Sequence, residues 1–263
     1  MNLPDLPPIA RSALLLDLDG TLLDIAPAPD LVLVPAGLIQ SLQQLRTRLD
    51  GALAVVSGRP VEEVNSLLQA APYAIAGEHG AALRLAPDAA PSRPDLPSVP
   101  HEWRKAAGSL AAVQPGVMLE EKTHGFVLHY RAAPDLGPWL REELARIMQG
   151  DTRFAILPAR KAWEVRPQGA HKGTAVTTLM QHSPFAGRIP IFIGDDVTDE
   201  DGMAAARAMG GAGLRVPEVF GGPAAVRDWL AEVAAGSTES WPAPCYKLAP
   251  ALGSPSAGGS ISD

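Results

Sequence analysis

The sequence is poor in cysteine, in aromatic residues and in long apolar runs, and each shortage removes a class of protein. One cysteine, Cys245, stands among 263 residues. A single thiol forms neither an internal disulfide nor a cysteine metal cluster, so a reducing, cytoplasmic setting is expected. No stretch approaches the roughly 20 apolar residues of a membrane span; the apolar run at residues 13–16 is broken by Asp17. Residues 1–10 lack the basic start and following apolar block of a secretory leader. Basic residues are also in the minority. Lys and Arg number 22 against 29 Asp and Glu, a net charge of −7, which repels nucleic acid and anionic membranes. Aromatics are 5% of the chain, and no basic stripe interleaves with them. What is present is an apolar fraction of 46%, enough at this length to bury the core of one or two domains. The 26 prolines are about twice the usual share of about 5% and predict many loops.

Residues 12–18 form a short block, apolar on both faces, which predicts a strand of a parallel sheet. Leu38, Leu42, Leu45 and Leu49 then recur at helical spacing. Residues 52–56 predict a second buried strand. Ser57-Gly58-Arg59-Pro60 breaks it, and Pro60 suits the first turn of a helix reaching to about residue 69. Strand and helix in alternation predict an α/β fold with right-handed crossovers. After about residue 81 the rhythm changes. Residues 87–100 are proline-rich and loop-like. Residues 126–131 predict a strand with one open face, 140–148 an amphipathic helix stopped by Gly150, and 154–157 and 162–166 two further strands. The α/β rhythm returns with a helix at 172–181, a buried strand at 189–193, a helix at 199–209, a short strand near 214–216 and a helix at 223–233. The expected organisation is a mostly parallel α/β domain (1–82 and 169–235) split by an inserted α+β domain (83–168), with a flexible tail (236–263) rich in Gly, Ser and Pro.

Two of the predicted strands end in carboxylates: Asp17-Leu18-Asp19-Gly20-Thr21, and Gly194-Asp195-Asp196-Val197-Thr198-Asp199. In an open α/β sheet the site lies beyond the carboxyl ends of the strands, so Asp17 and Asp195 meet there if the two strands are neighbours. Crowded carboxylates call for a hard cation with oxygen ligands; Mg²⁺ is the natural choice, and it pairs with a phosphate substrate. Asp199 also suits a helix cap. Ser57 can bond a phosphoryl oxygen and Arg59 can clamp an anion, although Ser57 is equally a reasonable cap. Lys172 opens a helix, where a cation works against the dipole unless an anion is near.

Taken in order, Asp17 to Thr21, Ser57, Lys172 and Gly194-Asp195-Asp196 resemble the four motifs of the haloacid-dehalogenase-like (HAD) phosphatases, with the insertion between the second and third motifs. Ser57-Gly58-Arg59, Gly77-Glu78-His79-Gly80, Glu120-Glu121-Lys122, Leu128-His129-Tyr130-Arg131 and Glu164-Val165-Arg166-Pro167 sharpen the resemblance to the trehalose-6-phosphate phosphatases. It covers about residues 14–230. It implies a Rossmann-like core with an α+β cap, and a soluble, cytoplasmic, Mg²⁺-dependent enzyme acting on a small sugar phosphate.

The same resemblance implies roles. Asp17 is the nucleophile and forms an aspartyl-phosphate; Asp19 is the general acid and base; Ser57 and Lys172 bond the phosphoryl oxygens. Asp17, the backbone carbonyl of Asp19, and Asp195 hold the cation, with Asp196 and Asp199 behind them. Gly20, Thr21 and Arg59 belong to the substrate site. In the cap, Glu120, Lys122 and Glu164 contact the sugar, with Arg131 and His79 as further candidates. Read without the resemblance, Glu121 and Lys122 are a solvated turn, His129 is a structural histidine, and Trp139 is core; Trp103 and Trp163 stay open between core and sugar platform. Rotation of the cap is expected at 81–85 and 167–170, where Gly80 and Gly169 stand. The rival readings are a phosphatase of sucrose 6-phosphate or mannosyl-3-phosphoglycerate, a phosphomutase, and a non-catalytic sugar-phosphate sensor.

Overall fold

A computed structural model describes residues 6–26, 31–93, 96–122, 124–159, 161–236 and 238–243. The chain starts with β1 (Ser12–Leu16), α1 (Leu38–Arg48), β2 (Leu53–Val56), α2 (Val61–Leu68), β3 (Ala74–Gly77) and β4 (Ala82–Arg84). It continues through α3 (His101–Val113), β5 (Met118–Glu121), β6 (Phe126–His129), α4 (Gly137–Met148), β7 (Phe154–Ala159) and β8 (Ala162–Pro167). It closes with α5 (Lys172–Leu179), β9 (Ile189–Gly194), α6 (Glu200–Ala208), β10 (Ala212–Arg215), α7 (Val216–Val219) and α8 (Pro223–Ala235).

The strands form two sheets. The six-stranded sheet runs β10-β9-β1-β2-β3-β4 and the four-stranded sheet runs β5-β6-β8-β7. In the larger sheet all pairings are parallel except β3 with β4. Every residue of β1 and β2 is buried, as a strand covered by helices on both faces requires. β1 lies between β2 and β9, with Leu16 opposite Val55 and Ile193. This pairing brings the carboxyl ends of β1, β2 and β9 together, and with them Asp17, Ser57 and Asp195. The leucine stripe of α1 buries Leu38, Leu42 and Leu45 against the same core.

The smaller sheet is antiparallel throughout and has its own core. Phe126, Leu128 and Val165 face Trp103 and Ala107 of α3 and Leu140, Leu144 and Met148 of α4. The period of two then sends Val127, His129 and Glu164 to the opposite face. Register sets Glu120 opposite Val127, and Val127 opposite Glu164, so the two carboxylates flank one valine.

Several expectations change here. The residue 82/83 boundary falls inside β4, which pairs with β3 in the large sheet, so the chain leaves that sheet after Arg84. β6 ends at His129 and buries Phe126 to Leu128 completely or nearly so; its second face looks onto a cleft rather than open water. Pro60 is the residue before α2, not its first turn. Trp103 packs edge-on against Phe154, and Trp163 donates to the Gly137 carbonyl at 2.7 Å. Both belong to the small core, as does Trp139.

The stretch after Gly236 is not free over its described part. Trp241 stacks on Trp229 with ring centres 5.1 Å apart and donates to the Ser12 hydroxyl at 3.0 Å. Trp229 donates to the Pro242 carbonyl at 2.8 Å, and the Ile9 amide donates to the Glu239 carbonyl at 3.0 Å. Residues 237 and 244–263, Cys245 among them, lie outside the described residues.

Candidate active site

The turn after β1 is held by buried Leu18, Leu22 and Leu23, whose amides at 22 and 23 return to the Leu18 carbonyl at 2.9 Å. Gly20 has φ +85°, and a Cβ there would lie 2.2 Å from an Asp195 carboxylate oxygen. Only glycine lets the β1 turn approach the β9 turn this closely. Thr21, fully buried, donates to Asp195 at 3.4 Å.

Asp17 is 4% exposed and Lys172 3%. The Lys172 ammonium donates to Asp17 at 2.6 Å and to Asp199 at 2.5 Å, so the lysine that opens α5 is held by two anions against the helix dipole. Burial pushes the Asp17 carboxyl up to about 8; Lys172 opposes the shift, and the nearby Asp199 and Asp195 add to it. Burial alone would lower the Lys172 ammonium, but Asp17 and Asp199 overcome it and raise it. Asp195 is raised by burial and by the charges of Asp199 and Asp196.

Asp17, Asp195 and Asp199 each place a carboxylate oxygen within 4.8 Å of the others. The cluster fits a hard cation, because three oxygen donors lie together and two of the carboxyls resist ionising without one. Asp199 has less to offer than the other two. One of its oxygens takes Lys172; the other takes the amides of Asp195 and Asp196, both at 3.0 Å. Its side chain makes no cap bond to α6, contrary to the expectation; it closes the turn ahead of that helix and anchors Lys172. Asp196 caps the same turn through the Val197 amide.

Arg59 is engaged by carboxylates of the protein itself. Its guanidinium grips both oxygens of Asp19, at 2.7 and 2.8 Å, and also reaches Glu63. The Asp19 carboxylate is therefore tied to the turn ahead of α2, outside the cluster of Asp17, Asp195 and Asp199. Ser57 is buried and accepts from the Arg59 amide at 3.1 Å.

A cleft of about 580 Å³ separates the ends of the large sheet from the open face of the small one. Asp195, Asp196, Val197, Ile25 and His79 line it on one side; Glu120, Lys122, Glu164 and His129 line it on the other. The small sheet thus presents two carboxylates and an ammonium to the carboxylates of the large one. Glu120 accepts from His129 at 2.7 Å, and this bond holds its carboxyl below the usual range against the opposing effect of burial. Composition gave His129 no role; its position opposite Met118, one step along from Glu120, is legible only from strand register. Glu121 points away and is bound by Arg104, which also holds the carbonyls of Lys122 and Gly125 at 3.0 and 2.7 Å. Arg131 is exposed on the turn beyond β6 and does not line the cleft.

The family model described as trehalose-phosphatase matches residues 15–220. The chain belongs to the trehalose-phosphatase family. The trehalose-6-phosphate phosphatase of Escherichia coli (strain K12) is 38% identical to it over 216 residues, 79% of this chain and 78% of the relative. The probable trehalose-phosphate phosphatase of Sinorhizobium fredii is 40% identical over 213 residues, 78% of this chain and 77% of the relative. Among solved structures, the C-terminal domain of the C. albicans trehalose-6-phosphate phosphatase superposes with a TM-score of 0.69 at 20% identity, covering 87% of this chain and 94% of that one; this likeness shows the HAD-type fold. Membership of this family supports trehalose-phosphatase activity for the chain. No helix among the described residues is long and apolar enough to cross a membrane.

Proposed function

We propose that this chain hydrolyses trehalose 6-phosphate to trehalose and inorganic phosphate in the cytoplasm, through an aspartyl-phosphate on Asp17 and with Mg²⁺ as the resident cation. The observation that carries the reading is the cleft itself: Asp195, whose carboxylate lies with those of Asp17 and Asp199 beside Lys172, faces Glu120, Lys122 and Glu164 across one space. One side suits a phosphoryl group and the other suits a polyhydroxylated sugar.

The Asp17 carboxylate attacks phosphorus, and the bond from phosphorus to the sugar oxygen breaks as the bond to Asp17 forms. Asp19 gives its proton to the departing sugar oxygen, then takes one from the water that attacks the phosphorus of the aspartyl-phosphate. Phosphate leaves and Asp17 is regenerated. Asp19 reaches the leaving oxygen only after it parts from Arg59, and Glu63 remains to compensate the guanidinium. Lys172 and Ser57 supply donors to the phosphoryl oxygens, where charge builds. Asp17, the Asp19 carbonyl and Asp195 would hold the cation, which when bound screens the nucleophile from the anionic substrate. All-oxygen donors favour Mg²⁺ over softer metals. Glu120, Lys122 and Glu164 bond the sugar hydroxyls, and their placement along one face of the small sheet favours a disaccharide phosphate over a small one.

The test is phosphate release from trehalose 6-phosphate, sucrose 6-phosphate, glucose 6-phosphate and p-nitrophenyl phosphate, each with Mg²⁺ and with EDTA. Fast release from trehalose 6-phosphate that EDTA abolishes is expected. Preferred turnover of sucrose 6-phosphate overturns the substrate. Binding of trehalose 6-phosphate without release from any compound overturns the enzyme reading in favour of a sensor.

A further inference from the structure

Buried polar groups without partners gather in one place. Among the described residues, the buried side-chain nitrogens that lack a hydrogen bond are His79 Nδ1, both ring nitrogens of His124, Arg166 Nη1 and Arg84 Nε. Arg84 is otherwise satisfied by Asn65 and by the carbonyls of Pro72 and Pro87. The remaining groups all line one enclosed space of about 20 Å³, together with Glu78, Lys122 and Glu164. A cluster of buried groups without protein partners calls for a physical account.

Glu164 is the centre of this cluster. Its carboxylate is ringed by Lys122 at 3.5 Å, Arg166 at 3.8 Å and His79 at 3.9 Å. All three lie beyond the usual 2.7–3.2 Å of a hydrogen bond. Arg166 shares the face of β8 with Glu164, two residues on, and is 8% exposed. It does not line the large cleft, so it acts on the cleft only through Glu164. Burial pulls the Arg166 guanidinium down and Glu164 opposes the shift.

His79 comes from the other sheet. Its amide donates to the Ser57 carbonyl at 2.9 Å, and the Glu78 amide donates to the Arg59 carbonyl at 3.0 Å. The ring lies against Gly58, where a Cβ would come within 2.8 Å of Nε2. Glu78 and His79 hold φ values of +51° and +58°, a left-handed pair that L-residues adopt at a cost and that persists where the surroundings over-determine it. Arg93 fixes Glu78 at 2.8 Å. The imidazole is thereby fastened to the Ser57–Arg59 turn on one side and aimed at a carboxylate of the small sheet on the other.

We propose that Arg166 and His79 are positioning residues that set the Glu164 carboxylate for the sugar, Arg166 from the same strand and His79 as the two sheets close on each other. This rests on the reading of Glu164 as a sugar contact. An approach of the sheets by about 1 Å brings His79 Nε2 into hydrogen-bond range of one Glu164 oxygen, and Arg166 Nη1, on the same strand as Glu164, reaches that oxygen by a side-chain shift of similar size, while the oxygen nearer Lys122 stays turned to the ligand. His79, held neutral by burial and by the charges of Arg166, Lys172 and Lys122, donates without adding charge. Sugar recognition on one sheet is then coupled to the Ser57 turn on the other.

The experiment measures kcat and KM separately for trehalose 6-phosphate and p-nitrophenyl phosphate in Arg166→Met, Arg166→Lys, His79→Ala and His79→Gln. Arg166→Met and His79→Ala are expected to raise KM for the sugar phosphate at least tenfold. The ratio of kcat/KM between the two substrates falls by the same factor. Arg166→Lys and His79→Gln, which keep a donor, return to within about threefold of the wild type. Equal losses on both substrates, or a wild-type KM in both truncations, overturn the proposal. His79→Ala carries the comparison should Arg166→Met not fold. If the wild type ignores trehalose 6-phosphate and turns over another sugar phosphate, the functional reading fails; the same ratio, taken with that substrate, still decides the positioning role.

Discussion

Asp17 and Lys172 make the clearest test of the chemistry, because an amide in place of the carboxylate keeps the shape and removes only the charge. Asp17→Asn should lower turnover by at least about 10³-fold. The melting temperature should hold, because Lys172 retains Asp199 and the amide oxygen still accepts; phosphate release beside a thermal melt checks both. A variant with wild-type turnover would remove Asp17 as nucleophile. His79 makes a second test, through pH. Burial holds its pKa well below the ordinary 6.5, so below that pH the unfolded chain takes up a proton that the folded chain refuses. Stability from this residue is present above pH 6.5 and lost as pH falls. One pH unit below 6.5 costs up to about 1.4 kcal/mol, or about 3–5 °C of melting temperature. His79→Gln should lose that much less between pH 7.5 and 5.5; parallel melting curves for the two proteins would refute the assignment. The carboxylates were legible in the sequence because each closes an apolar block. The Arg59–Asp19 grip was not, since it joins residues 40 apart through a tertiary approach.

β1, β2 and β9 could be read from the sequence because both faces are buried and the apolar run is continuous. β3 and β4, rich in Ala and Gly and only 4 and 3 residues long, carry no period to read. β5 exposes much of its length and resembles a polar turn until pairing with β6 gives it a register. Composition also misread the stretch just after α8, where one tryptophan, Trp241, matters more than the surrounding Gly, Ser and Pro. Trp241 closes over Trp229 and Ser12, strapping α8 to the start of β1. Trp241→Ala loses a stacked pair and a hydrogen bond, worth together about 2 kcal/mol, so the melting temperature should drop by about 4–8 °C. Activity at 25 °C should stay near wild type. Ser12 begins the strand that Asp17 follows, and five residues of strand span about 16 Å. A large loss of activity without a change in melting would show that the strap reaches the site.

At long range the chain, with a net charge of −7, repels an anionic substrate, but screening confines that repulsion to about 8 Å at physiological salt. Capture must therefore be local, by Lys172 and a bound cation on one sheet and by Lys122 on the other. The two sides meet across a cleft of about 580 Å³ that is too open to exclude water. The polypeptide crosses between the sheets twice, after β4 and after β8, and Gly169 near the second crossing holds φ +90°. Gly80, ahead of the first, holds φ +105°. Closure about these crossings would bring His79 onto Glu164 and shut the space over Asp17. The outward sign is size. A compact chain of this length has a radius of gyration of about 18 Å, and two lobes held apart exceed it. Small-angle scattering of the Asp17→Asn protein with Mg²⁺ should move toward the compact value when trehalose 6-phosphate is added and stay put with p-nitrophenyl phosphate, which cannot bridge the cleft. A profile unchanged by the sugar phosphate at saturating concentration would mean that the cleft works as it stands, with the Glu164 donors engaged by the ligand rather than by movement of the cap.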